Sequence, residues 1–163
     1  MDAVENAECT VLVVEDDAVS RANFAYALRQ AGYHVVTAAN GVQALRCVRS
    51  GPIPDVILLD MLMPQLDGWH FLDELKRHSA SLSIPIIVTT STILTPQWAT
   101  THGCAGFLHK PVEEEALLAE VKCCLLASFR QQRERRAVLP GGRGVGGARE
   151  NRQGQGNQPS ART

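Results

Sequence analysis

The chain has 163 residues, 45% of them hydrophobic, which is the length of one ordinary domain with material for a real core. Its formal net charge of −1 hides an asymmetry: residues 1–129 carry eight Lys/Arg against fifteen Asp/Glu, and residues 130–163 carry eight Arg against two acids. The acidic N-terminus argues against a secretory signal and no apolar stretch approaches a membrane span, so a soluble cytoplasmic protein is expected.

Short apolar runs alternate with helical patterns along the chain. Residues 10–15 (TVLVVE) read as a buried strand, followed by a helix over 19–30 with Phe24, Ala27 and Leu28 on one face. Gly32 suits its C-terminal cap. Residues 34–38 form a second strand, and Asn40 and Gly41 turn into a helix through Ala44, Leu45 and Val48. Gly51 and Pro52 end that helix before the strand at 55–59, and a helix over 68–78 follows with Phe71, Leu72 and Leu75 inward. The fourth strand spans 84–90, a short and poorly patterned helix 96–102, and the fifth strand 105–109. A helix over 112–129 closes the domain, with Glu113, Glu114 and Glu115 favourably placed at its positive N-terminus. Its last turns, with Arg130, Arg133, Arg135 and Arg136, are expected to fray. This order predicts an α/β fold: a five-stranded parallel sheet with helices on both faces.

Three strands end in matching chemistry. The first runs into Glu15, Asp16 and Asp17, the third into Asp60, and the fifth into Lys110 and Pro111. Carboxyl ends of parallel strands are where open α/β sheets place their ligand sites. Carboxylates gathered there repel one another unless a cation joins them, and hard oxygen donors without imidazole or thiolate suit Mg²⁺. Lys110 adds a charge that pairs with Asp60 or holds a phosphoryl oxygen, and Thr90 ends the fourth strand in the same layer. The set suits phosphoryl transfer onto Asp60 as nucleophile. The phosphoryl donor must come from outside, because the chain has neither a Walker lysine loop nor a G-x-G-x-x-G turn after its first strand.

Four segments, VLVVEDD, DVILLDMLMPQLDGW, PIIVTTS and GFLHKP, occur in this order and at fitting separations. Through them, residues 8–129 resemble the receiver domain of bacterial two-component response regulators, of the chemotaxis-regulator type. The resemblance implies a flavodoxin-like strand order 2-1-3-4-5 and phosphorylation of Asp60 by a histidine kinase or phosphotransfer protein. It implies Mg²⁺ bound by Glu15, Asp16, Asp60 and the backbone carbonyl of Leu62. By the same resemblance Lys110 contacts the phosphate, the Lys110-Pro111 peptide is cis, Thr90 is the switch hydroxyl and Phe107 the switch aromatic. Asp17 is a turn or N-cap residue, and Thr89 points the other way along the strand. The family's frequent Tyr is Phe107 here, and Leu62 and Thr92 occupy the positions that flank the phosphoryl group.

Such a protein catalyses only its own phosphorylation and dephosphorylation and signals by docking to a downstream protein target. No DNA-binding domain is expected after residue 129, and a phosphorylation-dependent dimer is left open. Two other functions compete. A constitutive interaction module would not need the acids and Lys110, and an aspartyl-phosphate phosphatase would need a general acid where Leu62 stands. Phe107 is either a static core residue or a switch; His102 and His109 read as surface or turn residues. Trp69 and Trp98 are expected to pack helices, with a partner surface as the alternative for Trp98. The cysteines Cys9, Cys47, Cys104, Cys123 and Cys124 follow no metal-ligand spacing and read as apolar fillers or incidental thiols. Residues 130–163 form a basic Gly/Arg-rich tail expected to be disordered, either a plain solvated extension or a weak contact for nucleic acid or an acidic partner.

Overall fold

The computed structural model describes residues 8–77 and 83–138. Five strands, β1 (Thr10–Val14), β2 (His34–Ala38), β3 (Val56–Asp60), β4 (Ile86–Thr90) and β5 (Gly106–His109), alternate with helices. These are α1 (Ala18–Gln30), α2 (Gly41–Ser50), α3 (Gly68–Lys76), α4 (Pro96–Thr101) and α5 (Glu114–Val138). The strands form one sheet in the order β2-β1-β3-β4-β5, and every neighbouring pair is parallel. This is the expected flavodoxin-like order.

Unbroken apolar runs make sense here because successive side chains leave a strand on opposite faces and both faces are covered. Val11, Val13, Leu58 and Ile87 face a core closed by Phe24 and Leu28 of α1 and by Leu117, Val121 and Leu125 of α5. Leu12, Val14, Ile57, Leu59 and Val88 face the other, closed by Ala44, Leu45 and Val48 of α2 and by Phe71, Leu72 and Leu75 of α3. The period-2 split of the same runs therefore feeds two cores, and the sheet is fully enclosed between β1 and β4.

Helix starts are set by side chains. Asp17 accepts a hydrogen bond from the Val19 amide at 3.2 Å, Asn40 from Gln43 at 2.9 Å, and Asp67 from His70 at 2.9 Å, so each is an N-cap. Gly32 has φ +93° just after α1, the left-handed geometry expected of a C-terminal glycine. Gly68 is needed for a different reason. A Cβ there would lie 2.7 Å from Met61 Sδ and 2.8 Å from Met61 Cα, so only glycine lets the start of α3 fold back on the end of β3.

Two predicted boundaries differ in an informative way. The strand expected at 55–59 starts at Val56, because Asp55 turns its side chain to the Thr10 amide at 2.7 Å and ties the entry of β3 to that of β1. The end of the last helix does not fray at Arg130; α5 continues to Val138. Residues 130–137 are all strong helix formers, without glycine or proline, so propensity carries the helix on beyond Phe129, through residues 130–135 that are exposed. His78, the expected end of α3, and the tail from residue 139 lie outside the described residues.

The five cysteines are free, as expected. Cys123 is exposed while its neighbour Cys124 is buried, and burial pushes the Cys124 thiol up to about 12, which keeps it protonated and inert. No helix among the described residues is long and apolar enough to cross a membrane.

Candidate functional site

β1 and β3 are adjacent, so the residues that leave their carboxyl ends emerge side by side. Glu15 follows β1, still tied to the sheet by its amide on the Ala38 carbonyl at 3.1 Å, and Asp60 is the last residue of β3. Both side chains are buried, whereas Asp16 is exposed. One carboxylate oxygen from each of Glu15, Asp16 and Asp60 lies within 4.8 Å of the others, a spacing that could hold a metal ion. The predicted acidic trio is thus brought together.

Lys110 reaches the same point from the end of β5. Its ammonium stands 2.7 Å from Asp60 Oδ2 and 2.8 Å from Glu15 Oε2. The contact with Asp60 is a hydrogen bond; that with Glu15 is an ion pair without hydrogen-bond alignment. The other oxygen of Asp60 accepts the Leu62 amide at 3.0 Å, and Glu15 Oε1 accepts the Asp17 amide at 3.2 Å. The Lys110-Pro111 peptide is cis, as expected.

Burial pushes the Glu15 carboxyl up, and the charge of Asp60 adds to this while Lys110 pulls it back. Burial alone would lower the Lys110 pKa, but its contacts with Asp60 and Glu15 outweigh that and hold it above the ordinary lysine value. Among the described residues three carboxylates meet one ammonium in ion-pair contact, an excess of negative charge for which a divalent cation is a matching counterion. Asp16 is the natural entry point. Its carboxylate takes no hydrogen bond or ion pair among the described residues.

Thr90 is fully buried at the end of β4, and its hydroxyl pairs with that of Thr92 at 2.8 Å while accepting the Thr92 amide at 3.1 Å. In the β3–β4 register it is Thr89 that pairs with Asp60, and alternation along the strand sends the Thr89 and Thr90 side chains to opposite faces. Phe107 is half-buried against the α2/α3 core. His109 is exposed, as predicted, but His102 is not a plain turn residue. It caps α4 and stacks on Trp98 at a centroid distance of 4.3 Å, and Trp69 of α3 meets Trp98 edge-on at 4.4 Å. The two tryptophans therefore pack α3 against α4.

One site residue escaped the sequence reading. Arg21, at the fourth position of α1, donates from Nη1 to the Glu15 carbonyl at 2.7 Å and to the Asp16 carbonyl at 3.0 Å. The available signal was its place: helix side chains lean toward the N-terminus, so a long side chain one turn after the N-cap Asp17 reaches back over residues 15 and 16.

The geometry and the comparisons with known proteins agree. The family model for the response regulator receiver domain matches residues 11–122. This chain belongs to the response regulator receiver family. The receiver is 33% identical over 117 residues to Protein PilH of Pseudomonas aeruginosa, covering 71% of this chain and 96% of that one. It is 30% identical over 115 residues to the sensor histidine kinase CheAY of Helicobacter pylori, covering 69% of this chain but only 14% of that one. Among solved structures it is similar to the chemotaxis response regulator CheY4 of Vibrio cholerae, with a TM-score of 0.64 at 31% identity, covering 71% of this chain and 98% of that one. The receiver spans about half the length of several transcriptional regulators that it also matches. It is a receiver domain of phosphorelay signalling, similar to single-domain regulators of the chemotaxis type.

Proposed function

We propose that the protein accepts a phosphoryl group on Asp60 from a histidine kinase or phosphotransfer protein and passes the signal on by docking to a protein target. The observation that carries this reading is the environment of Asp60: a buried carboxylate at the end of a central strand, with Lys110 at 2.7 Å and the acids Glu15 and Asp16 alongside. Glu15, Asp16 and Asp60, with the Leu62 carbonyl, would hold Mg²⁺. The donor set suits it, being all hard oxygen with one acid still exposed to solvent. When bound, the ion supplies positive charge against the oxygens of the transferring phosphoryl group.

The protein's own groups do the rest. A carboxylate oxygen of Asp60 attacks phosphorus in line, the bond from phosphorus to the donor imidazole nitrogen breaks, and an acyl phosphate forms. Lys110, already at Asp60 Oδ2, turns its ammonium to a phosphoryl oxygen and neutralises it. Thr90 exchanges its hydroxyl partner Thr92 for another phosphoryl oxygen, and Phe107 moves inward with it. The exposed side chain of Leu62 stands beside the acyl phosphate and influences its hydrolysis. In this reading the receiver covers residues 8–129, acts in the cytoplasm and catalyses nothing beyond its own modification.

The test is intact mass after incubation with acetyl phosphate and Mg²⁺, followed by transfer from purified histidine kinases. Wild type gains one phosphate, and the gain disappears in Asp60→Asn and after chelation of the metal. No adduct on wild type, or an equal adduct on Asp60→Asn, overturns the assignment.

A further inference from the structure

Arg21 makes an unusual choice of partners. Three carboxylates lie close by, yet its guanidinium makes no ion pair with any of them among the described residues. Its Nη1 spans two backbone carbonyls instead, those of Glu15 and Asp16. These two peptide units are where the chain leaves β1 and turns into α1, so their carbonyls point away from the sheet ladder and need another donor. The side chain is half-buried, and its own amide is fixed on the Asp17 carbonyl at 2.9 Å, which anchors the clamp in the first turn of the helix.

We propose that Arg21 is a positioning residue of the metal site. By holding the Glu15 and Asp16 carbonyls it sets the direction in which both carboxylates leave the backbone, and so preorganises the pair for a divalent cation. Glu15 has further restraints in the Asp17 amide and Lys110, whereas the Asp16 carboxylate takes no hydrogen bond or ion pair among the described residues, so the backbone clamp is the restraint that fixes where it starts. Groups that orient metal ligands without touching the metal commonly change affinity by one or two orders of magnitude.

The sign of the effect separates this role from a charge effect. The guanidinium is a cation beside a cation site, so by Coulomb's law alone its removal would tighten Mg²⁺ binding. A positioning role predicts the opposite. The inference rests on the metal site described under Proposed function, and the experiment keeps the two apart. Mg²⁺ is titrated into the unphosphorylated full-length chain by calorimetry, comparing wild type with Arg21→Met, Arg21→Gln and Arg21→Lys, and the urea midpoint of each variant is recorded.

The expected result is a Kd raised on the order of tenfold in Arg21→Met and Arg21→Gln, with partial recovery in Arg21→Lys, whose ammonium can still reach a carbonyl. Should the methionine variant fail to fold, the glutamine variant decides. An unchanged Kd with a lowered urea midpoint would reduce Arg21 to a structural residue and overturn the assignment. A tighter Kd overturns it in favour of charge. If wild type itself binds no Mg²⁺, the metal site fails and this assignment fails with it.

Discussion

Lys110 is the residue on which the charge balance of the site depends. Among the described residues its ammonium is the one cation in ion-pair contact with the buried Glu15 and Asp60. Removing one partner of a buried pair leaves the other desolvated and unpaired, which is far more costly than an exposed ion pair is worth. Lys110→Met is therefore expected to lower unfolding free energy by about 3 kcal/mol in the absence of divalent cations. Mg²⁺ should restore part of that loss, because it offers the carboxylates a substitute charge. Urea unfolding with and without Mg²⁺ measures both numbers; an unchanged midpoint without Mg²⁺ would mean that water, not Lys110, stabilises these acids.

At the scale of elements, the β3–α3 connection carries Asp60 and is pinned at both ends. Gly68 packs against Met61, and Asp67 caps α3 through the His70 amide. That hydrogen bond is the main reason the Asp67 carboxyl is held below its ordinary value, with the His70 ring adding to it. A lowered folded-state pKa means that the contribution to stability is present above the ordinary pKa of 3.8 and lost as pH falls through the folded value. Asp67→Asn keeps a capping oxygen but no charge. Wild type should thus be modestly more stable than Asp67→Asn at pH 7, with the difference shrinking toward zero as the medium is taken below pH ~4. Urea midpoints for the two proteins across that range provide the check, and a difference that grows on acidification contradicts the sign.

For the molecule as a whole, the domain core and the basic segment are separate matters. Among the described side chains the last apolar contact of α5 is made by Phe129, and residues 130–135 are exposed. Truncation after Phe129 should accordingly change stability by no more than about 0.5 kcal/mol, the usual range for surface changes, and leave acyl phosphate formation intact. A large loss of stability would show that the basic helical extension contributes to the fold. The acidic balance of residues 1–129 against the basic balance of 130–163 also makes any contact between them sensitive to salt.

The strands, their order along the chain and the acids at their ends were legible in the sequence because they rest on local rules. Four or five apolar residues in a row bury both faces of a strand, and a polar residue at its end has only the sheet edge to occupy. The N-cap at Asp17 follows from the same local geometry. Other features depend on contacts that no spacing encodes. Asp55 ties two strand entries 45 residues apart, and Trp69 meets Trp98 and His102 across two helices. The length of α5 differs from the expected fraying because the helix propensity of residues 130–137 suffices to continue it to Val138. By itself the sequence determined which groups stand at the end of the sheet, since composition and periodicity place them there. Only the tertiary structure decided how they are held: Lys110 sits between two buried carboxylates that come from the ends of β1 and β3, because a partner on another element is set by packing between elements rather than by neighbours along the chain.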